Sequence, residues 1–409
     1  MGAAAVPHTR DPLPLWSKIA IAAIGLGLFL VVLASLPLPI PAYLDFQVLY
    51  QTDMGLLRGI SPYDHAGQVQ MIAQIAHVPP EQVYVLPFPY PPWYALSTLW
   101  LAWLFPIEVA ARIWFGISLA LLLLSTWLLT DGWDPRLRLP AFGFAIFFLP
   151  VMGSLFVGQY VFPVLLGAAL MSHALRHENA MLAALAAGLL TFKPHLGGPI
   201  LLVVLLHLWQ RKDAFGRRTL GTILGIGVVL FLIGFLADRA WPVSYLRSLL
   251  AFRQDSGVSR CNLCASLPAL ILSLLNGVLT LAPALAIGAL ILVSLGALWI
   301  MMRRSALQDP ALLIAVSILV LLLASPYLFN YDFLLLLVPF GLLALRNGRV
   351  LHWILLAAAY LLPFMVFSVL GRQGNFVYPL AALILLIMLY VETRQIDRSS
   401  IAEISDSHP

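Results

Sequence analysis

The sequence predicts an all-α polytopic membrane protein. Hydrophobic residues make up 61% of the 409-residue chain and charged residues only 10%, whereas a soluble domain carries about 25% charged residues. Apolar runs of about 17–25 residues, the length at which a helix spans a bilayer, recur between short polar breaks. Because lipid offers the backbone no hydrogen-bond partners, these runs are expected to form helices, and the alternating pattern of a membrane β-barrel is absent.

The apolar runs predict about twelve transmembrane helices. The candidate spans are 17–37, 93–105, 109–130, 159–175, 180–192, 195–209, 218–237, 277–302, 308–325, 331–345, 350–370 and 375–391. The first has no small-residue cleavage site and is predicted to be a retained helix rather than a signal peptide. The segment 139–152 is predicted to be re-entrant or interfacial, because a further crossing there would invert the chain up to Arg211. This assignment leaves Arg136 and Arg138 outside, against the usual charge distribution.

Basic residues orient the chain, because loops rich in Lys and Arg stay in the cytoplasm. The five basic clusters are Arg10 with Lys18, Arg211–Lys212 with Arg217–Arg218, Arg303–Arg304, Arg346 with Arg349, and Arg394 with Arg398. Both termini are then cytoplasmic, and loops 37–92, 238–266, 325–332 and 371–375 are extracytoplasmic. The net charge of +5 fits these cytoplasmic clusters and anionic lipid, and no nucleic-acid partner is expected. We predict one transmembrane domain over 1–392 and a polar cytoplasmic tail over 393–409.

In the first outer loop, 37–92, apolar residues at helical spacing predict two amphipathic helices, over 45–59 and 64–77. These helices are expected to lie in the membrane interface with their apolar sides in the lipid. Asp45 follows the first span among aromatic residues. A carboxylate that is partly desolvated at this position is suited to act as a general base. The alternative is that Asp45 caps the helix beginning near Phe46.

The same loop holds four further candidate substrate-binding residues, Arg58, Tyr63, Asp64 and Tyr90. The first three lie in a turn between the two helices, and a capping role for Asp64 is the favoured interpretation of that residue. Tyr90 lies in the proline-rich stretch 88–92. That stretch either fixes the loop against a site or simply starts a helix.

Two later breaks between apolar runs carry polar residues. Gln159 is predicted to form a hydrogen bond either with a hydroxylated ligand or with a neighbouring helix. Lys193 and His195 lie in the break at 191–195, where an ionisable residue at membrane depth indicates function and a lysine is suited to a phosphate. The alternative for Lys193 is snorkelling of its ammonium group to the interface.

The loop at 325–332 ends in Tyr331 and Asp332. Asp332 opens a wholly apolar helix, and it either caps that helix or binds a ligand or Lys193.

Cys261 and Cys264 form a CxxC pair without a second ligand pair for zinc, so a local disulfide or two free thiols is expected. The sequence lacks a phosphate-binding glycine loop, HExxH and GxSxG, which argues against ATP hydrolysis and proteolysis. No cofactor or metal is predicted.

Taken in order, the motifs resemble those of a known family. They are Asp45-Phe46 with Tyr50, Gly59-x-Ser61-Pro62-Tyr63-Asp64, Tyr90-Pro91-Pro92, Gly158-Gln159, Lys193-Pro194, and Ser325-Pro326 with Tyr331-Asp332. The ordered set resembles glycosyltransferase family 87, the bacterial polyprenyl-phosphate-sugar-dependent transferases of the GT-C superfamily. The mycobacterial phosphatidylinositol mannoside mannosyltransferases belong to it. The resemblance extends over residues 17–392.

The resemblance implies a GT-C-like bundle in the plasma membrane with its active site on the extracytoplasmic side. It implies a polyprenyl-phosphate sugar donor, carrying mannose or another hexose or pentose, and a lipid or glycan acceptor. Asp45 matches the presumed catalytic base of the family, and Lys193 and Tyr331-Asp332 match residues that line the cavity. The sequence departs from the family at 262–266, where Asn262 and Ser266 stand in an Asn-Leu-Cys-Ala-Ser stretch.

The residues are compatible with this chemistry without a nucleotide-binding fold. A departing polyprenyl phosphate needs a nearby cation, which Lys193 or Arg58 can supply, and the acceptor hydroxyl needs a base, which Asp45 can be. Inverting transfer by single displacement is the simplest mechanism. The alternative is a transporter or lipid flippase using the same polar cluster. It would place ionisable residues in both halves of the bilayer, whereas this chain gathers them on one side.

Overall fold

The computed structural model describes residues 44–83, 85–255, 265, 267, 309–325, 327–345 and 350–406. Within these ranges all regular structure is helical. The α-helices are α1 (Leu44–Leu57), α2 (His65–Ala76), α3 (Pro92–Leu104), α4 (Ile107–Leu129), α5 (Pro135–Ile146), α6 (Leu149–Val157), α7 (Phe162–Arg176), α8 (Ala180–Leu190), α9 (Pro194–Arg211), α10 (Ala214–Gly234), α11 (Trp241–Asp255), α12 (Pro310–Ala324), α13 (Leu337–Ala344), α14 (Val350–Leu370) and α15 (Val377–Asp406). Short 3₁₀ segments occupy Pro80–Gln82, Asn330–Leu336 and Gly371–Phe376.

Side-chain caps and prolines define where many of these helices begin. The side chains that accept a backbone N–H of the first turn are Asp64 (α2), Asp134 (α5), Asn179 (α8), Asp213 (α10) and Asp309 (α12). Proline stands at one of the first two positions of α3, α5, α6, α7, α9 and α12. Both features suit a helix N-terminus, where the first N–H groups have no partner within the helix.

Four helices in the described ranges are long and apolar enough to cross a membrane: Ile107–Leu129, Ala214–Gly234, Val350–Leu370 and Gly374–Thr393. The pair α5 and α6, bent by 60°, adds a fifth if it is counted as one span. The protein is therefore an α-helical membrane protein, but a count of about twelve spans is not confirmed. The predicted spans 17–37 and 277–302 lie outside the described residues.

Two contacts show that α4 and α7 run parallel. Near the start of both helices, Trp114 Nε1 donates a 3.1 Å hydrogen bond to the carbonyl oxygen of Gly158. At their far ends, Asp131 Oδ2 lies 3.2 Å from His173 Nδ1 and 3.3 Å from His177 Nε2. Since α4 and α7 point the same way, the chain between them must return from one end of the bundle to the other. The prediction that 139–152 is re-entrant or interfacial is thus corrected, because α5 and α6 carry the chain across.

A second correction concerns the predicted span 93–105, and it leaves the predicted orientation of the helices after α7 unchanged. The predicted span 93–105 corresponds to α3, and both of its ends lie at the end of the bundle where α7 begins. Trp93 Nε1 donates to Thr191 Oγ1 (3.0 Å), and the carbonyl oxygen of Phe105 accepts from the Tyr50 hydroxyl (2.9 Å). The helix therefore does not cross. The predicted crossing by α3 is thus removed, and a crossing by α5 and α6 is added. Arg136 and Arg138 then lie at the same end of the bundle as Arg211, in agreement with the charge rule.

The centre of the bundle is occupied by short helices that other helices surround. All but three of the fifteen residues of α7, and all but three of those of α12, are buried, including both apolar and small side chains on every face. A helix that is apolar all round and buried all round belongs to a core. Helices α10 and α14 instead expose large apolar side chains, among them Leu224, Leu232, Leu351 and Met365. The outer helices therefore offer the surface suited to lipid.

The first outer loop packs on protein more than the sequence predicted. Helix α1 buries Phe46, Leu49 and Tyr50, whose rings and methyl groups join an aromatic cluster with Tyr94 and Trp114. The predicted amphipathic helix thus turns its apolar face toward α3 and α4 rather than toward lipid. This packing fixes the position of Asp45 in the first turn of α1.

Candidate active site

Four polar side chains from four separate segments form a continuous hydrogen-bonded row at one end of the bundle. Gln159 Nε2 donates to Asp45 Oδ2 (2.6 Å). Lys193 Nζ donates to Gln159 Oε1 (3.2 Å) and to Asp332 Oδ1 (2.6 Å). The sequence named all four as candidates, and the fold brings them together although up to 287 positions of chain separate them (332 − 45).

Lys193 and Asp332 are a buried ion pair. Lys193 is 3% exposed and Asp332 is 1% exposed. The second carboxylate oxygen of Asp332 accepts the backbone N–H of Phe329 at 2.9 Å. Of the alternatives for Asp332, the pairing with Lys193 is present. Asp332 does not open its helix, because it is the third residue of the 3₁₀ segment Asn330–Leu336, where it accepts the N–H of the preceding Phe329. Lys193 does not snorkel, because its ammonium group is held inside the protein.

The hairpin between α8 and α9 positions Lys193. The carbonyl oxygen of Lys193 accepts the N–H groups of Leu196 and Gly197, both at 2.9 Å, as the first turn of α9. The two helices approach closely behind this turn, since a Cβ at Gly197 would lie only 2.6 Å from the carbonyl carbon of Leu190. Only glycine permits this approach. The lysine therefore stands at the tip of a tightly closed hairpin.

Gln159 is positioned by the turn between α6 and α7. Gly158 ends α6 in the left-handed region (φ +68°), where a residue without Cβ is favoured. The Gln159 amide oxygen accepts the backbone N–H of Tyr160 (3.1 Å) as well as Lys193, while its nitrogen donates to Asp45. The amide is thus occupied on both sides. The structure favours Gln159 as the residue that positions Asp45 and Lys193, rather than as a direct ligand of a hydroxyl group.

Asp45 differs from the other members of the row in its exposure. It is half-buried, whereas Gln159, Lys193 and Asp332 are buried. Burial raises the pKa of Asp45, while the hydrogen bond from Gln159 and the charge of Lys193 oppose the rise. Helix α1 is held in place nearby, where the Tyr160 hydroxyl accepts the N–H of Leu49 at 3.2 Å. Asp45 lies in the first turn of α1 and not before it, so it does not occupy the predicted cap position.

Aromatic rings line the row on two sides. Tyr90 packs edge-on against Tyr160, with ring centroids 5.0 Å apart, and Tyr94 packs edge-on against Tyr160 at 5.2 Å. On the other side, Lys193 Nζ lies 5.0 Å from the ring centroid of Tyr331, a cation–π contact. Tyr90 and Tyr331, both predicted candidates, therefore border the polar row. These faces suit the apolar rings or chains of a bound ligand.

Three predicted candidates lie away from the row. Arg58 is exposed and donates to the carbonyl oxygen of Met54 (3.2 Å), so it does not supply the cation of this site. Asp64 is exposed and caps α2 through the N–H of Gly67 (3.0 Å), as the favoured interpretation held. The Tyr63 hydroxyl donates to the carbonyl oxygen of Tyr90 (3.0 Å). Tyr63 therefore supports the loop that carries Tyr90 and does not reach the row itself.

His195 lies beside the site on the first turn of α9. Its imidazole is exposed, and its ring centroid is 6.1 Å from that of Tyr327. The predicted residues Cys261, Asn262, Cys264 and Ser266 lie outside the described residues.

Several supporting residues escaped the sequence reasoning. Tyr160 joins Gln159 to α1, and Ser154 Oγ donates to the carbonyl oxygen of Tyr331 (3.2 Å). The Ser61 hydroxyl donates to Asp238 Oδ2 (2.6 Å) and so ties the first outer loop to the start of the second. The only signal for Tyr160 was its place next to Gln159. Nothing in the sequence pairs Ser154 or Asp238 with its distant partner.

The row offers a half-exposed carboxylate beside a buried cation. Such a pair can accept a proton from a hydroxyl at one point and stabilise negative charge at another.

A family model matches this chain: that of glycosyltransferase family 87 covers residues 88–326, more than half of the sequence. The matched part contains Gln159 and Lys193, and it begins after Asp45 and ends before Asp332. No curated protein matches the sequence. The chain belongs to glycosyltransferase family 87 and is a membrane glycosyltransferase.

Proposed function

We propose that this protein transfers a sugar from a polyprenyl-phosphate donor to a hydroxyl group of a lipid or glycan acceptor, with Asp45 as the general base. The transfer takes place at the extracytoplasmic face of the plasma membrane and inverts the anomeric carbon. The observation that carries the proposal is the position of Asp45, half-exposed at the open end of a row whose other members are buried and mutually bonded.

Comparison of the carboxylates in this region supports Asp45 as the proposed base. Asp332 is 1% exposed and has both oxygens engaged, by Lys193 and by the N–H of Phe329. Asp53, on the same helix as Asp45, is 1% exposed, and burial raises its pKa well above the usual value. Among the described residues, Asp45 has one oxygen bonded, to Gln159, and the other is available to an acceptor hydroxyl.

Lys193 is the cation that faces the leaving phosphate in this proposal. A lysine ammonium has three donors, and within the described part of the chain Asp332 and Gln159 engage two of them. The third can donate to a phosphate oxygen. Asp332 fixes the ammonium in place and offsets part of its charge, so the polyprenyl phosphate is not held too tightly to leave after transfer.

In this proposal the transfer is a single displacement. The acceptor oxygen attacks the anomeric carbon while Asp45 takes its proton, and the bond from that carbon to the phosphate oxygen breaks toward Lys193. One carboxylate base suffices, and no covalent sugar–enzyme intermediate is needed. The product therefore carries the configuration opposite to that of the donor.

The proposed face of the membrane follows from the charge distribution. Arg211, Lys212, Arg217 and Arg218 lie at the end of the bundle opposite to the row, together with Arg136 and Arg138. Clusters of this kind stay in the cytoplasm. The row then faces outward, where a membrane enzyme has lipid-linked donors rather than cytoplasmic nucleotide sugars.

The test is sugar transfer by the purified protein in liposomes, with radiolabelled polyprenyl-phosphate mannose and a lipid extract as acceptor. Asp45→Asn keeps the hydrogen bond from Gln159 but cannot take a proton, so turnover should fall by about 10²–10⁴-fold. The matched control is Asp53→Asn, which changes a buried carboxyl on the same helix. Burial raises the pKa of that carboxyl and so favours its neutral form, which an amide resembles, and turnover should change less than about twofold.

Two outcomes would contradict parts of the proposal. Full turnover by Asp45→Asn would remove its role as the base. Transfer from a nucleotide sugar, without any from the lipid-linked donor, would overturn the donor class. The anomeric configuration of the product, read by NMR, checks the single displacement independently, because a retained configuration requires a second step.

A further inference from the structure

Two histidines and an aspartate form a compact cluster at the basic end of the bundle, far from the candidate active site. Asp131 follows the end of α4, while His173 and His177 stand one turn apart at the end of α7. Their three ligand atoms lie within 4.8 Å of one another. The family match and the proposed transfer chemistry assign no role to this cluster.

The spacing of the three atoms fits a small metal ion. Asp131 Oδ2 lies 3.2 Å from His173 Nδ1 and 3.3 Å from His177 Nε2. In a tetrahedral zinc site with bonds of about 2.0–2.1 Å, neighbouring ligand atoms lie about 3.3–3.4 Å apart. The carboxylate oxygen is therefore at the edge length of such a tetrahedron from both imidazole nitrogens.

Hydrogen bonding alone leaves one of these nitrogens without a partner. Nδ1 of His173 is buried, and despite its closeness to Asp131 it forms no hydrogen bond with any residue in the described ranges. A buried polar atom of this kind costs free energy unless something binds it. A metal ion would bind its lone pair, and the half-exposed His177 and Asp131 leave the ion a path from solvent.

We propose that Asp131, His173 and His177 bind a zinc-class transition-metal ion, with water as the fourth ligand. Two imidazoles and a carboxylate favour such a metal over calcium or magnesium, which prefer oxygen ligands. The ion joins the end of α4 to the end of α7. Because α4 and α7 also meet at Trp114 and Gly158, the metal fastens the far end of a helix pair whose near end borders the active site.

The experiment uses the full-length protein, purified in detergent with an affinity tag that contains no histidine. Bound metal is measured by mass spectrometry, and thermal unfolding is recorded with added ZnCl₂ and with a chelator. We expect about one zinc per chain and a higher unfolding temperature with zinc. His177→Ala and Asp131→Asn should each weaken zinc binding by about 10-fold or more. The matched control, His77→Asn, replaces an exposed histidine that directly follows α2 and should change neither measurement.

Asp131→Asn separates the metal from a hydrogen-bonded cluster. An asparagine oxygen still accepts the hydrogen bond from His177, so a cluster without metal would keep most of its stability in this variant. A wild-type protein that carries no zinc above background, and whose unfolding temperature does not respond to zinc, would overturn the proposal. Equal zinc binding by the wild type and both site variants would do the same. Sugar transfer is not used as a readout, so the outcome is independent of the proposed function.

Discussion

Gln159 donates a 2.6 Å hydrogen bond to Asp45, and the opposite side of the same amide accepts from Lys193. The proposed base and the proposed phosphate partner are thus linked through one neutral side chain. An amide can serve in this way because it carries a donor and an acceptor at fixed separation. A shift at either end of the row would be transmitted to the other.

Replacing Gln159 by Met should change the pH dependence of transfer. Burial raises the pKa of Asp45, and the bond from Gln159 opposes that rise. Without this bond the pKa of Asp45 rises further, so a higher pH is needed to ionise the base. Turnover at neutral pH should fall about 10-fold, and the acid limb of the pH–rate profile should move to higher pH.

The control for this variant is Gln68→Met, which alters another buried glutamine. Gln68 bonds to the carbonyl oxygen of Ser61 and is not part of the row. Its substitution should leave the acid limb in place. If Gln159→Met lowers turnover equally at every pH, the amide only supports the fold and does not tune Asp45.

Breaking the ion pair between Lys193 and Asp332 should destabilise the protein. Asp332→Asn leaves a buried ammonium group without its counter-charge, which costs about 3–5 kcal/mol. The double variant Lys193→Met with Asp332→Leu removes both charges and should recover most of this loss. Denaturant unfolding in detergent measures the three free energies.

The same variants separate stability from catalysis. The double variant should fold but show almost no transfer, because the proposed phosphate partner is missing. If transfer returns together with stability, Lys193 has only a structural role. If the double variant is destabilised as much as Asp332→Asn or more, the two side chains do not act as a pair.

The sequence revealed the polar row because burying a polar group beside apolar runs is costly and therefore informative. Gln159, Lys193 and Asp332 each interrupt a long apolar segment, and pairing of Asp332 with Lys193 was one of the predicted alternatives. Their joint geometry was not predictable, since it depends on how helices pack around α7 and α12. The same limit applied to Tyr160, whose hydroxyl reaches α1 only in the folded bundle.

The path between 92 and 158 shows where composition alone fails. Helix α3 is as apolar as part of a span, yet it packs on the aromatic cluster at one end of the bundle. The sequence of α5 and α6 does not predict a membrane span, because Arg136, Arg138 and Pro140 interrupt its first half. Hydropathy measures the cost of contact with water and does not distinguish lipid from a protein core.

Variants of Arg58 and Asp64 test whether these two predicted candidates, which lie away from the polar row, are needed for sugar transfer. Arg58 is exposed and donates to the carbonyl oxygen of Met54 and to Met71 Sδ, away from the row. Arg58→Gln should therefore keep transfer within about twofold of the wild type. Asp64→Ala removes the cap of α2 and should lower stability by about 1 kcal/mol. Asp64→Asn keeps a capping oxygen and serves as the control. A large loss of transfer by Arg58→Gln would show that this arginine reaches the donor.

Two neighbouring glycines in α9 offer a test of the hairpin that positions Lys193. A methyl group at Gly197 would press on the backbone of Leu190, whereas no atom lies within 4 Å of a Cβ placed at Gly198. Gly197→Ala should therefore destabilise the protein by about 1–3 kcal/mol. Gly198→Ala adds a better helix former and should stabilise by up to about 1 kcal/mol.

Transfer should respond to the same pair of variants in a predictable way. Separating α8 from α9 at Gly197 shifts the first turn of α9, and with it the Lys193 carbonyl that accepts from Leu196 and Gly197. The lysine then loses its alignment with Gln159 and Asp332, so turnover falls even at temperatures where the variant remains folded. Gly198→Ala leaves that turn intact and should keep wild-type turnover. If Gly197→Ala unfolds at a lower temperature but transfers sugar normally when folded, the close approach of the helices stabilises the bundle without positioning Lys193.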